Sequence, residues 1–383
     1  MKLHIFNPGH DIALASNRMS LTMPRAARDL ARDLGWIPAL WAQMDDYVLV
    51  QNTHEAIKAF HRFLDQTGLA VPSVRFVTPE QLAGLPVHEV SPWGWDACLV
   101  NELLNRGISP HVIPSIEWVR GAMRQLSHRH SSAKILQNVR QGMEKETCGE
   151  ATLLYSLQEC EDYIMCNQPH HKAVFKAPWS SSGRGVRFVN AEITPSLEGW
   201  ILNTIRQQGG IMAEPYYHKI IDFALEFYAD AVPHLSPLTS HPSPLIPDKQ
   251  DSVRYVGLSL FQNTGSAYSG NILTSEELKR RFLGRYVELS IIDKLIQRLS
   301  VALSALLDGV YCGPLGVDMM VVSSDDCHSN LIHPCVEINL RRTMGHVALA
   351  LTPPHNVSPQ LMRIVQQDHH YQLTVRPAPL SLG

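Results

Sequence analysis

The chain has 383 residues, 45% of them hydrophobic and 18% charged, with a formal net charge of −3. That length supports two or three domains around a large core, and the charge, with no basic run, excludes a protein built to bind nucleic acid. No apolar run is long enough to span a bilayer; seven scattered cysteines without a C-x-x-C point to reduced thiols in a cytoplasm.

Residues 1 to about 125 alternate strand and helix patterns, which predicts a parallel α/β domain. The chain enters a strand at residues 3–6 with no signal-peptide pattern before it; further strands are expected at 47–51 and 74–77. Helices are expected at 24–34, with Arg25, Arg28 and Arg32 on the wet side, at 53–66 and at 97–106. Loops at strand C-termini are where parallel sheets bind ligands. Asn7, His10 and Asp11 lie in one such loop; Trp93, Trp95 and Asp96 lie in another, S91-P-W-G-W-D96. These residues either touch a ligand or serve the fold, since both aspartates can cap helices and the tryptophans can fill the core.

The run H128-R-H-S-S-A-K134 marks the next boundary. Ser131 or Ser132 can cap a helix over about 133–142, with Lys134 in its first turn, either solvated or reaching an anion. Leu153, Leu154, Leu157 and Tyr163 predict a helix over 150–166. V174-F-K-A-P-W-S-S-S-G-R-G-V-R-F-V189 then reads as strand, loop, strand, a hairpin with a Ser/Gly tip. Serine and glycine let the backbone approach a ligand and turn N–H groups towards an anion; Lys176 and Arg184 would add cationic donors. The pattern equally suits a surface hairpin with a solvated tip. It is not the loop of P-loop enzymes, because no Lys-Ser/Thr follows the second glycine. A helix over 196–207 stops at Gly209-Gly210, and a strand follows over 211–217.

Residues 234–252, rich in Pro and Ser, predict a mobile loop. A strand is expected at 254–262, and polar turns at 263–266 and 268–271 beside a substrate. Residues 276–307 carry a helical apolar stripe and no chemistry. G313-P-L-G-V-D-M-M-V-V322 is an apolar strand with one acid, Asp318. In H333-P-C-V-E-I-N-L-R-R342, period-two spacing puts Glu337, Asn339 and Arg341 on one face and Val336, Ile338 and Leu340 on the other, towards a core. An acid, an amide and a guanidinium side by side are costly inside a sheet unless something binds them. Carboxylate and amide oxygens suit magnesium, and arginine suits phosphates; the alternative is an edge strand whose polar face meets water. His346 either contacts a ligand or packs. The histidine pairs at 128/130, 170/171 and 369/370 lack metal-site spacing and read as surface residues.

In order and spacing, K176-A-P-W-S-S-S-G-R-G-V186, I211-M-A-E-P-Y-Y217 with I221-D-F-A-L-E-F227, Asp318, and E337-I-N339-L-R341 resemble the ATP-grasp superfamily of ligases, over roughly residues 130–350. Family members often carry a proline–threonine turn before the helix expected at 150–166; only Glu146-Thr147 stands there. The resemblance implies an α/β (α+β) architecture with ATP between two lobes. An N-terminal parallel domain would span 1–125, a small lobe with a mobile hairpin 126–215, and a large lobe with the metal site and a C-terminal extension 216–383. It implies ATP contacts at Lys134, Lys176, Ser181, Ser182, Gly183, Arg184 and Gly185. Adenine and ribose contacts would fall at Glu214, Tyr216, Tyr217 and Asp222, with Glu226 the alternative to Asp222. Mg²⁺, or Mn²⁺, would sit at Asp318, Glu337 and Asn339. Arg341 and Lys176 would be catalytic, and Asn7, His10, Trp95 and Asn271 would face the substrate.

The activity so implied is a ligase reaction. A carboxylate attacks the γ-phosphorus of ATP, and an amine or similar nucleophile displaces phosphate from the acyl phosphate. A kinase acting on a hydroxyl and a nucleotide-binding protein without catalysis are the other readings. The implied partners are small-molecule carboxylates and amines, with no nucleic acid and no membrane; a homodimer stays open.

Overall fold

The computed structural model describes residues 1–166, 172–180, 185–190, 192–230, 252–264, 267–323, 330–352 and 358–378. Short apolar runs bounded by turn residues form four parallel strands at the N-terminus: β1 (Lys2–Ile5), β2 (Tyr47–Leu49), β3 (Arg75–Val77) and β4 (Glu89–Pro92), in the order β3-β2-β1-β4. The chain builds outward from β1 and then returns to its other side. The loops after β1 and β4 therefore face each other at the switch point, where such sheets hold ligands. Helices α1 (His10–Ser16), α2 (Arg25–Leu34), α3 (Thr53–Thr67) and α4 (Ala97–Asn105) pack around this sheet. Asn52 caps α3 and Asp96 caps α4, each accepting a backbone N–H three residues on.

Short helices α5 (Ile116–Trp118) and α6 (Arg124–Leu126) lead to α7 (Arg129–Arg140). Helix α7 starts earlier than its serines suggest, because His128 caps it by accepting the His130 N–H. Ser132 turns inward instead and accepts the Ile338 N–H at 2.9 Å. Ile135, Leu136 and Val139 bury α7 in the core of the large sheet, not in that of the small lobe.

The second sheet is antiparallel, in the order β5-β8-β6-β7. It is made of β5 (Thr152–Leu154), β6 (Lys172–Lys176), β7 (Val186–Asn190) and β8 (Ile211–Pro215), backed by α8 (Leu157–Cys166) and α9 (Pro195–Gln208). The helix expected from residue 150 begins only at Leu157. Ser156 accepts the Glu159 N–H and starts it, while Thr152 to Leu154 pair with β8. Leu153, Leu154 and Leu157 satisfy either period, and the pairing with β8 decides.

The third sheet holds seven antiparallel strands in the order β13-β12-β9-β10-β11-β14-β15. They are β9 (Lys219–Ala229), β10 (Val253–Thr264), β11 (Ala267–Leu273), β12 (Gly313–Val322), β13 (Leu331–Asn339), β14 (Gln360–Gln367) and β15 (His370–Pro377), with α10 (Glu276–Leu283), α11 (Leu289–Leu307) and α12 (Met344–Ala350). The polar segment expected to turn near 268–271 is strand β11. The helical stripe at 276–307 is broken near Gly284 into two helices. The loop expected at 234–252 lies almost entirely outside the described residues.

The last hairpin, β14–β15, crosses onto the N-terminal domain. Met362 and Leu373 share a core with Leu34, Phe60 and Phe63, and Asp33 accepts the Tyr371 N–H at 2.8 Å. A parallel α/β domain followed by two antiparallel lobes is the architecture that the ATP-grasp resemblance implied.

Candidate active-site cleft

A cleft of about 340 Å³ lies where the three sheets meet. The hairpin contributes Lys176 and Val186, β9 contributes Ala224 and Glu226, and β12 contributes Asp318. Val336, Glu337 and Asn339 come from β13, Asn271 from β11, Trp93 from the N-terminal domain and Arg129 from α7. The hairpin and the strand bearing Glu337 and Asn339 thus line one cavity. Strict alternation fails on β13: Asp318 faces Glu337, but Met320 faces His333, so the strand bulges between these pairs. The bulge turns Val336, expected in the core, into the cleft wall. Arg341 lies beyond the end of β13 and still reaches the cleft.

The charges are paired with care. Lys176 Nζ donates to Glu214 Oε2 at 2.6 Å, both side chains being 8% exposed. Arg129 meets Glu337 at 2.9 Å and also donates to the Ala177 carbonyl at 3.0 Å and to Ser180 Oγ at 3.1 Å. Arg341 grips Asp11 of the N-terminal domain with two bonds, 2.9 and 3.0 Å. Burial alone would raise the Asp11 carboxyl; the Arg341 guanidinium outweighs it and holds Asp11 below the usual carboxylate range. Asp11 therefore makes no side-chain cap on α1.

Asp318 differs from the other acids. Asn339 Nδ2 donates to its Oδ2 at 3.2 Å. Desolvation within the cleft, then the negative charges of Glu337 and Glu226, push its carboxyl up to about 7. Among the described residues no three His, Cys, Asp or Glu side chains stand close enough to hold a metal alone. Magnesium seldom asks for that; it takes one or two carboxylates and completes its shell with water and substrate phosphates. Asp318, Glu337 and the amide oxygen of Asn339 fit it by donor type, and a bound cation would offset the burial and negative charge that raise Asp318.

The other expected site residues are distributed as follows. Gly185 closes the hairpin, its carbonyl accepting the Ala177 N–H at 2.8 Å. A Cβ there would come within 2.3 Å of Ser180 Cβ, so only glycine fits. Ser181, Ser182, Gly183 and Arg184 lie outside the described residues. Glu214 lies next to the last residue of β8, and Tyr216 and Tyr217 form the linker to β9, where Tyr217 packs edge-on against His333. Asp222 accepts from Lys219 at 2.5 Å and from Asn263 at 2.9 Å near the start of β9.

Lys134 is exposed on α7 and does not line the cleft. The cation that α7 delivers there is Arg129, which the sequence reading passed over. Its one signal was a charged residue between two histidines at a helix start. Asn7 bonds the Gly94 carbonyl and Asp96, joining the β1 and β4 loops, and His10 is buried beside them. Trp95 packs on the core of the N-terminal domain, while Trp93 lines the cleft. Asn271 is buried in the cleft wall and donates to Ser259 Oγ at 2.8 Å.

No protein-family model and no curated protein matches the chain. Among solved structures it is similar to N5-carboxyaminoimidazole synthetase from Staphylococcus aureus complexed with ADP, at 10% identity and a TM-score of 0.48, over 96% of this chain and 83% of that one. It is also similar to the biotin carboxylase–β-γ-ATP complex from Campylobacter jejuni, at 11% identity and a TM-score of 0.49, over 97% and 77%. A third is the biotin carboxylase domain of the Hydrogenobacter thermophilus 2-oxoglutarate carboxylase, complexed with MgADP, ADP and bicarbonate, at 13% identity and a TM-score of 0.47, over 95% and 74%.

Proposed function

We propose that this chain is an ATP- and Mg²⁺-dependent ligase of the ATP-grasp type, which activates a carboxylate as an acyl phosphate and joins it to an amine. What supports the reading above all is the meeting of Lys176 with Asp318, Glu337 and Asn339 across one cleft. A buried lysine opposite two acids and an amide is the donor set that a magnesium-bound polyphosphate requires.

On this reading the adenine lies at the linker after β8, near Glu214, Tyr216 and Tyr217, and the ribose near Asp222. Magnesium, held by Asp318, Glu337 and Asn339, would neutralise phosphate charge when bound. Arg129 fixes Glu337 and, through Ala177 and Ser180, the base of the hairpin, so one guanidinium sets acid and hairpin together. Lys176 is held in place by Glu214 and presents its charge to the phosphates. Arg341, oriented by Asp11, faces the transferring phosphoryl group and stabilises the charge that develops there.

The test is to incubate the protein with MgATP and pooled carboxylic acids, with and without pooled amines, and to measure ADP and free phosphate. A ligase releases phosphate only when both partners are present. ADP formation with a stable phosphoester and no free phosphate would overturn the ligase reading in favour of a kinase.

A further inference from the structure

Resting on that nucleotide reading, the cleft has a second region that the ATP and magnesium contacts do not use. Strand β9 sets the order of sites. It leaves the linker at Lys219, carries Asp222, then places Ala224 opposite Asp318 and Glu226 opposite Gly316. Glu226 therefore stands two residues farther from the adenine end than Asp318, about 6.6 Å along the strand. The nucleotide would end beside Asp318 and Glu337, so Glu226 belongs to whatever lies beyond the phosphates.

Glu226 is 1% exposed, and its Oε2 accepts no hydrogen bond. His346 Nδ1 lies 3.0 Å from it. That nitrogen accepts the Thr343 N–H at 3.2 Å, and the other ring nitrogen faces the Phe227 carbonyl at 3.2 Å. The Thr343 hydroxyl also lies 3.0 Å from Nδ1, and in the neutral ring these contacts place the proton on Nε2 and leave Nδ1 an acceptor. The carboxylate is also deliberately housed: a Cβ on Gly345 would fall 1.8 Å from Oε1, and one on Gly316 2.7 Å from Oε2.

Arg342 and Lys279 act on Glu226 through space without a hydrogen bond to it, and the cations that line the cleft have other partners. Lys176, Arg129 and Arg341 already face Glu214, Glu337 and Asp11. A desolvated carboxylate without a donor is costly, and its complement is a cation that carries N–H groups. Ser259 and Asn271 stand on the same wall and bond each other at 2.8 Å. We propose that Glu226 binds the ammonium group of a cationic amine substrate, so that the nucleophile end of the cleft selects for positive charge and rejects carboxylates.

The experiment uses the full chain loaded with MgADP and titrated near neutral pH with n-butylamine and, as its neutral counterpart, 1-butanol, followed by ligand-observed NMR. Glu226→Gln is titrated in parallel, and MgADP affinity is measured separately by equilibrium dialysis. The expected result is that wild type binds butylammonium more than about tenfold tighter than butanol, and that Glu226→Gln loses this preference while still binding MgADP. Equal binding of the two probes by wild type overturns the proposal, and needs no variant. A preference kept by Glu226→Gln overturns it too, as does a parallel loss of MgADP affinity, which would place Glu226 at the nucleotide. Failure of wild type to bind MgADP would remove the nucleotide reading, and this proposal with it.

Discussion

Lys176 and Glu214 form an ion pair 2.6 Å long with both side chains 8% exposed. Replacing Lys176 by Met removes one partner and leaves Glu214 charged in a site that water scarcely reaches. Breaking such a pair costs about 3–5 kcal/mol, whereas replacing both partners by apolar residues of similar volume is close to neutral. Lys176→Met should therefore destabilise the small lobe by about 3–5 kcal/mol, and Lys176→Met/Glu214→Leu should recover most of it. Neither variant should hydrolyse or transfer phosphate, because both lack the cation. Because the molecule has three sheets, global unfolding need not be two-state. Hydrogen exchange of peptides covering β6 and β8 reads the small lobe alone. A cost below about 1 kcal/mol for the single variant would mean that the pair behaves as an exposed one. Wild-type turnover by the double variant would remove Lys176 from the phosphate site.

Glu337→Gln should lower phosphate release by the equivalent of about 2–4 kcal/mol in the barrier while the protein stays folded; near-normal ATP consumption would refute the metal assignment. Arg129→Ala should impair turnover comparably through loss of its bonds to Glu337 and Ser180, whereas Lys134→Ala, at an exposed position away from the cleft, should leave turnover near wild type, and steady-state assays of both variants check the contrast. Asp318 binds a proton in the fold up to about 7 that the unfolded chain releases near 3.8. Its contribution to metal-free stability is therefore full below 3.8 and is lost as pH rises through about 7. Mg²⁺ affinity should run the other way, rising with pH and levelling above that point; calorimetric titration across this range, with affinity independent of pH, would contradict it. Gly149 has φ +118°, and a Cβ there would lie 2.7 Å from the His333 ring, so Gly149→Ala should cost at least about 1–3 kcal/mol in thermal unfolding.

What could be read in the sequence was local. The hairpin around Lys176 and the acid within the apolar strand at Asp318 show in short-range pattern, and both elements form as expected. Val336 could not be placed, because the bulge that turns it is set by pairing between β12 and β13. Arg129 was hidden for a similar reason: its role depends on α7 crossing the end of β13, which no helical period reveals. The pairing of Arg341 with Asp11 joins residues 330 positions apart, and each alone reads equally well as a ligand contact or a surface charge. The start of α8 was misplaced because three leucines fit two periods at once.

The crossing of β14–β15 onto the first domain has a consequence for biosynthesis. Helices α2 and α3 leave the ribosome well before part of their apolar cover, Met362 and Leu373, has been made. Until then the parallel domain waits with that surface open to water, the condition under which nascent chains call on chaperones. A stop codon just before residue 360 would spare every proposed catalytic side chain and still leave the newborn domain without its lid of oil.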